Sequence, residues 1–444
     1  MSDGLPCRRR TPPDEDVCLM HSQNPLKDQA GFDREIEEIL NSPPDHDRSA
    51  EGFDFTRFVF PRSIFVERKF LRKAIFRNTT FLANAQFDGA FFAEGADFSS
   101  AVFNRAAVFF GSIFARDSSF FNAEFQSTLN FALVRCVGNA DFRSSQFQNH
   151  ADFTSSRFLG SVDFSSSIFA TSADFSRMMV GAPLQPDLLE PQNARAAPAI
   201  VNFSLVRFNN PESIVFRQVN KSSSQGLRTR FIGSNIEKVR FEDVRWHREK
   251  HRTVLQDEID LKTSDSDGHG TYELVADVYR KFINNFQGNR QYELAEDCFC
   301  GAMEMRRLDG NWIQRNVSLL AAYRTLSNYG SDYVRAASWL AIFILIFSCL
   351  YPFFGIRIVD SPNVKTTETA AVFYWPTPSP DNAMHLAKTL VGGIWTTLDI
   401  ATFTRNPAYE PNSRIGRDIA IVEIIVVSTQ TGLLLLSIRR RVQR

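Results

Sequence analysis

The chain has 444 residues, enough for two or three domains, with 50 Lys+Arg against 50 Asp+Glu. That balance excludes a polyanion-binding protein that works through bulk charge. Phe is the outlier, at 42 residues beside 9 Tyr and 5 Trp, so a regular buried arrangement of Phe is expected. The six cysteines are scattered, and in a chain this long they do not read as a disulfide framework.

Residues 1–50 are polar and rich in Arg, Asp, Glu and Pro. They read as a mostly disordered leader, in which Phe32–Leu40 has the pattern of one short helix. The leader lacks a signal-peptide pattern, so it is expected to remain cytoplasmic with reduced thiols. It contains Cys7, Cys18 and His21. The Cys18-x-x-His21 spacing suits a metal, but a structural zinc site wants four ligands and three are visible.

From Phe65 a large residue recurs at alternating gaps of 5 and 6, through 70, 76, 81, 87, 92 and 98 to Val180. Every position is Phe except Cys136 and Val180. An 11-residue period is compatible with a helix, yet the intervening Ser, Asn, Asp and Thr are poor helix formers. Two residues before most of these Phe lies a small one, such as Ala85, Ala96, Ala107, Ser118, Ala140 or Ala173. On an extended segment, positions i and i−2 share a face. Each segment then sends one small and one large side chain inward. Four segments of 5, 6, 5 and 6 residues close a coil of 22, and coils stack at about 4.8 Å. The pattern predicts a four-sided β-solenoid over 51–250 with a Phe core built between neighbouring coils. Phe87, Phe98, Phe109, Phe120, Phe131, Phe142, Phe153, Phe164 and Phe175 belong to that core.

This stretch resembles the pentapeptide-repeat family, in the variant where units of five and six alternate. The resemblance implies a right-handed quadrilateral β-helix. The cysteines near the N-terminus resemble a small zinc knuckle found ahead of some membrane-attached members, with its first cysteine missing. The period breaks at an excursion loop over 181–199, which carries four prolines. It resumes at Phe203, Phe208, Phe216, Phe231 and Phe241, and the charged stretch after Val244 reads as the cap of the stack.

Apolar residues at helical spacing mark a cytoplasmic helical region over 271–335. Two antiparallel helices meet at Gly288–Asn289, and a third runs through Asn311–Gly330. Two apolar stretches of bilayer length follow, 336–356 and 419–438. Arg324 and Arg335 precede the first. The basic tail 439–444 follows the second. The positive-inside rule puts both termini in the cytoplasm and the loop 357–418 outside. The expected setting is a two-span protein of a bacterial inner membrane.

Within that loop, 383–403 is half apolar and reads as a re-entrant segment. Two spans flanking such a segment resemble the two-helix potassium-channel family, whose filter is built from backbone carbonyls. Thr396 and Thr397 match the filter entry. Leu398, Asp399, Ile400 and Ala401 stand where that family has glycines, so the architecture is similar and the filter is not. Asp399 in an oligomer would form a cation-favouring ring; on the alternative reading 383–403 is an interfacial amphipathic segment and Asp399 a solvated loop residue. In the second span, Glu423 and Gln430 are expensive in lipid. Glu423 reads either as a functional carboxylate or as helix–helix glue or a side chain snorkelling to the interface, helped by Gln430 and its polar neighbours. Residues 271–444 as a whole resemble the C-terminal part of membrane pentapeptide-repeat proteins.

No phosphate loop, nucleophile elbow or paired-carboxylate motif appears, so no enzyme is expected. Between 53 and 180 the 11 acidic and 13 basic residues are mixed, which argues against mimicry of nucleic acid. The expected function is a non-catalytic membrane-anchored scaffold presenting a rigid solenoid for protein–protein interaction. The alternative is an ion-channel-like protein regulated by the solenoid. Expected partners are membrane lipid, an unidentified cytoplasmic protein and further copies of the chain; no cofactor is expected beyond a zinc at the N-terminal site.

Overall fold

A computed structural model of the chain describes residues 17–41, 52–63, 65–181, 198–250, 252–263, 271–358, 372–373, 383–402, 404 and 409–442. The chain divides into two compact units, 1–305 and 306–444.

The first unit is a parallel β-solenoid. Two-residue strands recur along the chain, and each pairs in parallel with the strand one coil earlier and one coil later. Four sheets result. Face one runs from Phe53–Asp54 to Thr229–Arg230 and face two from Val59–Phe60 to Arg207–Phe208. Face three runs from Ala85–Gln86 to Arg240–Glu242 and face four from Lys69–Phe70 to Met179–Val180. The register is 22 residues throughout the regular part, as in Ala107↔Leu129 and Phe114↔Cys136. The stack starts about half a coil before Phe65, within the expected 51–250, with Phe55 on Phe76 and Phe60 on Phe81.

The inner Phe residues are fully buried. Phe98, Phe120, Phe142 and Phe164 stack in one column at 4.7–5.0 Å with nearly parallel rings. Phe87, Phe109, Phe131, Phe153 and Phe175 form the next column. Rings of adjacent columns meet edge to face, Phe87 and Phe98 at 5.3 Å and 82°. Offset stacks and edge-to-face contacts are the two arrangements the aromatic quadrupole favours. At some positions of the small inner column a serine hydroxyl finds a backbone acceptor. Ser112 Oγ donates to Phe87 O at 2.6 Å and Ser145 Oγ to Phe120 O at 2.7 Å.

The corners have their own chemistry. Asp141, Asp152, Asp163 and Asp174 each accept from the backbone N–H two residues on, at 2.8–3.0 Å. This Asx turn bends the chain at the end of a strand. Ser144, Ser155, Ser166 and Arg177 take positive φ of 57–60°. The coil therefore turns through the left-handed region without glycine at these positions.

The excursion at 181–199 does not disturb the stack. Val162 pairs with Val201, 39 positions on instead of 22, and the parallel register continues. Residues 182–197 lie outside the described residues.

Both ends of the stack are covered. The described part of the polar leader, 17–41, packs on the first coil and is no separate tail. Helix α1 (Gln29–Asn41) lays Phe32 edge-on against Phe60 at 5.2 Å. Lys27 Nζ donates to the carbonyls of Leu19, Ser22 and Val59. At the other end, the cap is more than the charged stretch after Val244. Helices α2 (Gln256–Thr263) and α3 (Thr271–Gly288) close it. Phe282 meets Phe231, Phe241 and Trp246 at 5.4–5.5 Å. Asn285 Nδ2 donates to the carbonyls of Ile236, Glu237 and Val239, which no further coil is there to pair.

Helix α4 (Tyr292–Leu308) carries the boundary between the units. The helical region expected over 271–335 is thus shared out: α3 and most of α4 belong to the solenoid unit. The expected third helix is two short ones, α5 (Trp312–Val317) and α6 (Leu319–Ser327). Ser318 separates them because its side chain caps the second, accepting from Ala321 N at 3.2 Å.

The second unit also contains α7 (Tyr333–Phe354), α8 (Ala383–Ala401) and α9 (Arg414–Val442). Helices α7 and α9 are long and apolar enough to cross a bilayer, and most of each stretch is exposed. Leu345, Phe353, Ile421, Ile425 and Leu435 are each more than half exposed. In water such a surface would be an aggregation liability. A three-stranded antiparallel sheet (356–358, 372–373 and 409–411) joins the elements that leave and enter these helices.

Candidate functional site

Two places concentrate polar groups in arrangements the fold alone does not demand: the packing of α7, α8 and α9, and the outer faces of the solenoid.

Thr396, Thr397 and Asp399 all lie inside α8. The carbonyls of Leu398 and Asp399 accept from Thr402 N and Thr404 N, each at 2.9 Å, so within this chain they continue helical bonding. Thr396 is buried and its hydroxyl donates back to Gly392 O at 2.7 Å, a local helix bond. Thr397 is buried with Oγ1 lacking a partner among the described residues, whereas Asp399 is half-buried. Helix α8 approaches α7 through Gly393, where a Cβ would sit 2.3 Å from Ser348 O. A glycine there is a packing requirement.

Glu423 on α9 is fully buried and accepts a hydrogen bond from the Tyr351 hydroxyl of α7. Its Oε1 has no partner among the described residues. Gln430, two turns on, is also buried, and its Nε2 donates to Ala336 O at 2.7 Å and to Leu326 O at 3.4 Å. Both polar side chains therefore cross-link α9 to neighbouring helices. Phe347, Tyr351, Ile356 and Val427 form the apolar cluster around them.

At the N-terminal cap, Cys18 Sγ and His21 Nδ1 are 3.0 Å apart, and the His21 ring leans edge-on against Phe58. Cys7 lies outside the described residues. Among the described residues no group of three His, Cys, Asp or Glu side chains could hold a metal ion. Two donors fall short of the four a structural zinc takes, so the described residues alone do not fit that ion. Cys136 is buried in a Phe position, and Cys298 and Cys300 are buried in α4. Burial pushes the Cys136 and Cys298 thiols up, away from reactivity.

Sequence pattern missed a buried knot beneath the C-terminal cap. The Glu258 carboxylate has no exposed surface and accepts from Arg252 and Lys262 at 2.5 Å and from the Tyr279 hydroxyl. Burial alone would raise its pKa, but Arg252 and Lys262 hold it below the ordinary value. The adjacent Asp257 accepts from Phe231 N at 2.9 Å, and burial pushes it up to about 6. These charges sit in an otherwise unremarkable stretch, and only the fold brings Arg252 and Tyr279 onto them.

On the solenoid the outward strand positions differ in charge from face to face, although the totals balance. Face one presents Asp54, Asp141 and Asp163 with Arg230 near its end, Asp97 being buried, and face three presents Asp152 and Asp174 with Arg217, Arg240 and Glu242 near its end. Face four presents Lys69, Phe91, Ile113, Arg135, Arg157 and Met179, with no acidic residue. A count along the sequence averages these faces together.

No protein-family model, no curated protein and no solved structure matches the chain.

Proposed function

We propose that this protein is a non-catalytic, membrane-anchored scaffold, a membrane-attached member of the pentapeptide-repeat class. Its solenoid presents binding faces in the cytoplasm. The observation that carries this reading is the pairing of a rigid Phe-cored rod in one unit with two largely exposed apolar helices in the other. A capped stack of identical coils fixes the spacing of outward side chains, which suits docking better than chemistry. The exposed helices would be covered by lipid. Glu423 and Gln430 then serve as interhelical glue.

The test is quantitative cross-linking in native membranes with the full chain and with a chain lacking residues 1–305. A partner held by the full chain and lost from the shortened one supports the scaffold. Equal recovery of the same proteins by both would place the interaction on the membrane unit and defeat the reading. A second reading, cation conduction by an oligomer, is favoured by the buried carboxyl of Glu423 with its unpartnered Oε1. A monomeric mass in lipid nanodiscs would remove it, because two spans cannot enclose a pore.

A further inference from the structure

Face four carries a groove of about 610 Å³ at one of its long edges. Four cationic side chains line it: Arg135, Arg157, Arg177 and Lys221. Arg135 and Arg157 are direct register partners on adjacent strands, so two like charges are stacked one coil apart, about 4.8 Å at the backbone. Such a pair is mutually destabilising unless something opposes it. Among the described residues none of the three arginines has an ion-pair partner. Elsewhere on the rod some exposed arginines do, Arg143 with Asp141 and Arg217 with Glu242, and others such as Arg105 and Arg207 do not. Only Lys221, at the far end of the groove, is paired, with Asp243. Three apolar side chains also line it, Ile113, Met179 and Leu133, of which Leu133 is 48 % exposed.

We propose that this groove is the docking site for an acidic, partly apolar segment of a partner protein, bound along the coil axis. The proposal rests on the scaffold reading and names the face and the chemistry of its partner. Charge complementarity selects the occupant. A ladder of unopposed guanidinium groups calls for carboxylates. The apolar side chains that line the groove beside it give a peptide side chain something to cover, which a small inorganic anion cannot use. Arginine also loses less on ordering than lysine when it meets a planar carboxylate.

The experiment uses the full chain in nanodiscs of neutral lipid and a fluorescein-labelled peptide of alternating Glu and Leu as probe. Fluorescence anisotropy reads binding. The triple variant Arg135→Ala/Arg157→Ala/Arg177→Ala is expected to bind about tenfold more weakly or worse. The control Arg143→Ala/Arg207→Ala/Arg217→Ala removes the same charge from other faces and is expected to bind as the parent does. Leu133→Ser, which keeps every charge, is expected to weaken binding by a smaller factor.

Equal weakening in the triple variant and its control would mean diffuse attraction and would overturn the proposal. So would no binding by the parent chain. If vesicles containing one-third phosphatidylserine are held by the parent and released by the triple variant while the peptide is not bound, the face meets a membrane and the protein-segment proposal falls. None of these failures touches the scaffold reading, which stands on the cross-linking comparison and allows for the other three faces.

Discussion

Phe142 shows how a single ring serves the stack. It lies between Phe120 at 4.7 Å and Phe164 at 5.0 Å, and meets Phe131 and Phe153 edge to face. Phe142→Ala in a fragment covering residues 1–305 should cost about 3–5 kcal/mol. Phe142→Asp should abolish the cooperative melt, since an unpaired charge joins the cavity. Unchanged chemical denaturation of either variant would mean the ring is not where this register puts it. Cys136 shows the same point from the opposite side. It stands in the column of Phe114 and Phe158, and the space it leaves is taken by Phe131. That ring lies 52° from Phe109 in its own column and stacks instead between Phe114 and Phe158, at 6.1 and 6.3 Å. Sequence shows the gap at 136; the neighbour that fills it follows from three-dimensional packing alone.

Asp257 makes a separate prediction at the same scale. Burial, helped by nearby Asp260 and opposed by backbone N–H groups and Arg230, raises its pKa to about 6 from an ordinary 3.8. The folded chain therefore holds this proton more tightly than the unfolded one. Its contribution favours the fold at low pH and is lost as pH rises from about 4 to above 6, by on the order of 3 kcal/mol. Asp257→Asn keeps an acceptor for Phe231 N and removes the titration. The difference in urea stability between parent and variant should change across pH 4–7 in that direction. A difference that stays flat would show that the carboxyl titrates normally.

Among elements, the coils were legible and the caps were not. A strand in this stack announces itself through a repeating large–small pair, because every coil has the same interior. A cap meets the interior once, so Phe32, Phe282 and Asn285 carry no period that could reveal them. The same holds for α8. Its apolar content was readable, but its helical course through Thr396–Asp399 depends on packing against α7. That contact predicts a contrast between glycines. Gly393→Ala drives a Cβ toward Ser348 O and should lower the melting temperature of the full chain in nanodiscs by several degrees. Gly432→Ala, with nothing within 4 Å of its Cβ, should leave it unchanged. Equal behaviour would mean the two helices do not touch at Ser348.

For the whole molecule, the two apolar helices with basic residues at Arg324, Arg335 and Arg439–Arg441 predict a topology that a reporter can test. A reporter fused after Arg444 should read as cytoplasmic, and one inserted at Pro378 as external. The reverse pattern would put the solenoid on the other side of the membrane and remove cytoplasmic proteins from its candidate partners. Charge shows why a whole-chain view was needed. Asp152 and Arg157 are five residues apart in sequence yet belong to different faces, so local averaging cancels a difference that the fold preserves.

The 22-residue coil turns residue number into an angular coordinate. Over the regular coils, dividing a position by 22 gives its height along the rod, and the remainder gives its compass bearing. Val162 and Val201 show that a detour can be inserted between coils and the bearing recovered afterwards. Duplicating or deleting whole coils would therefore lengthen or shorten the rod in steps of about 4.8 Å while every surviving side chain kept its heading. Reach and specificity can then be altered independently, the first by counting coils and the second by editing a single remainder.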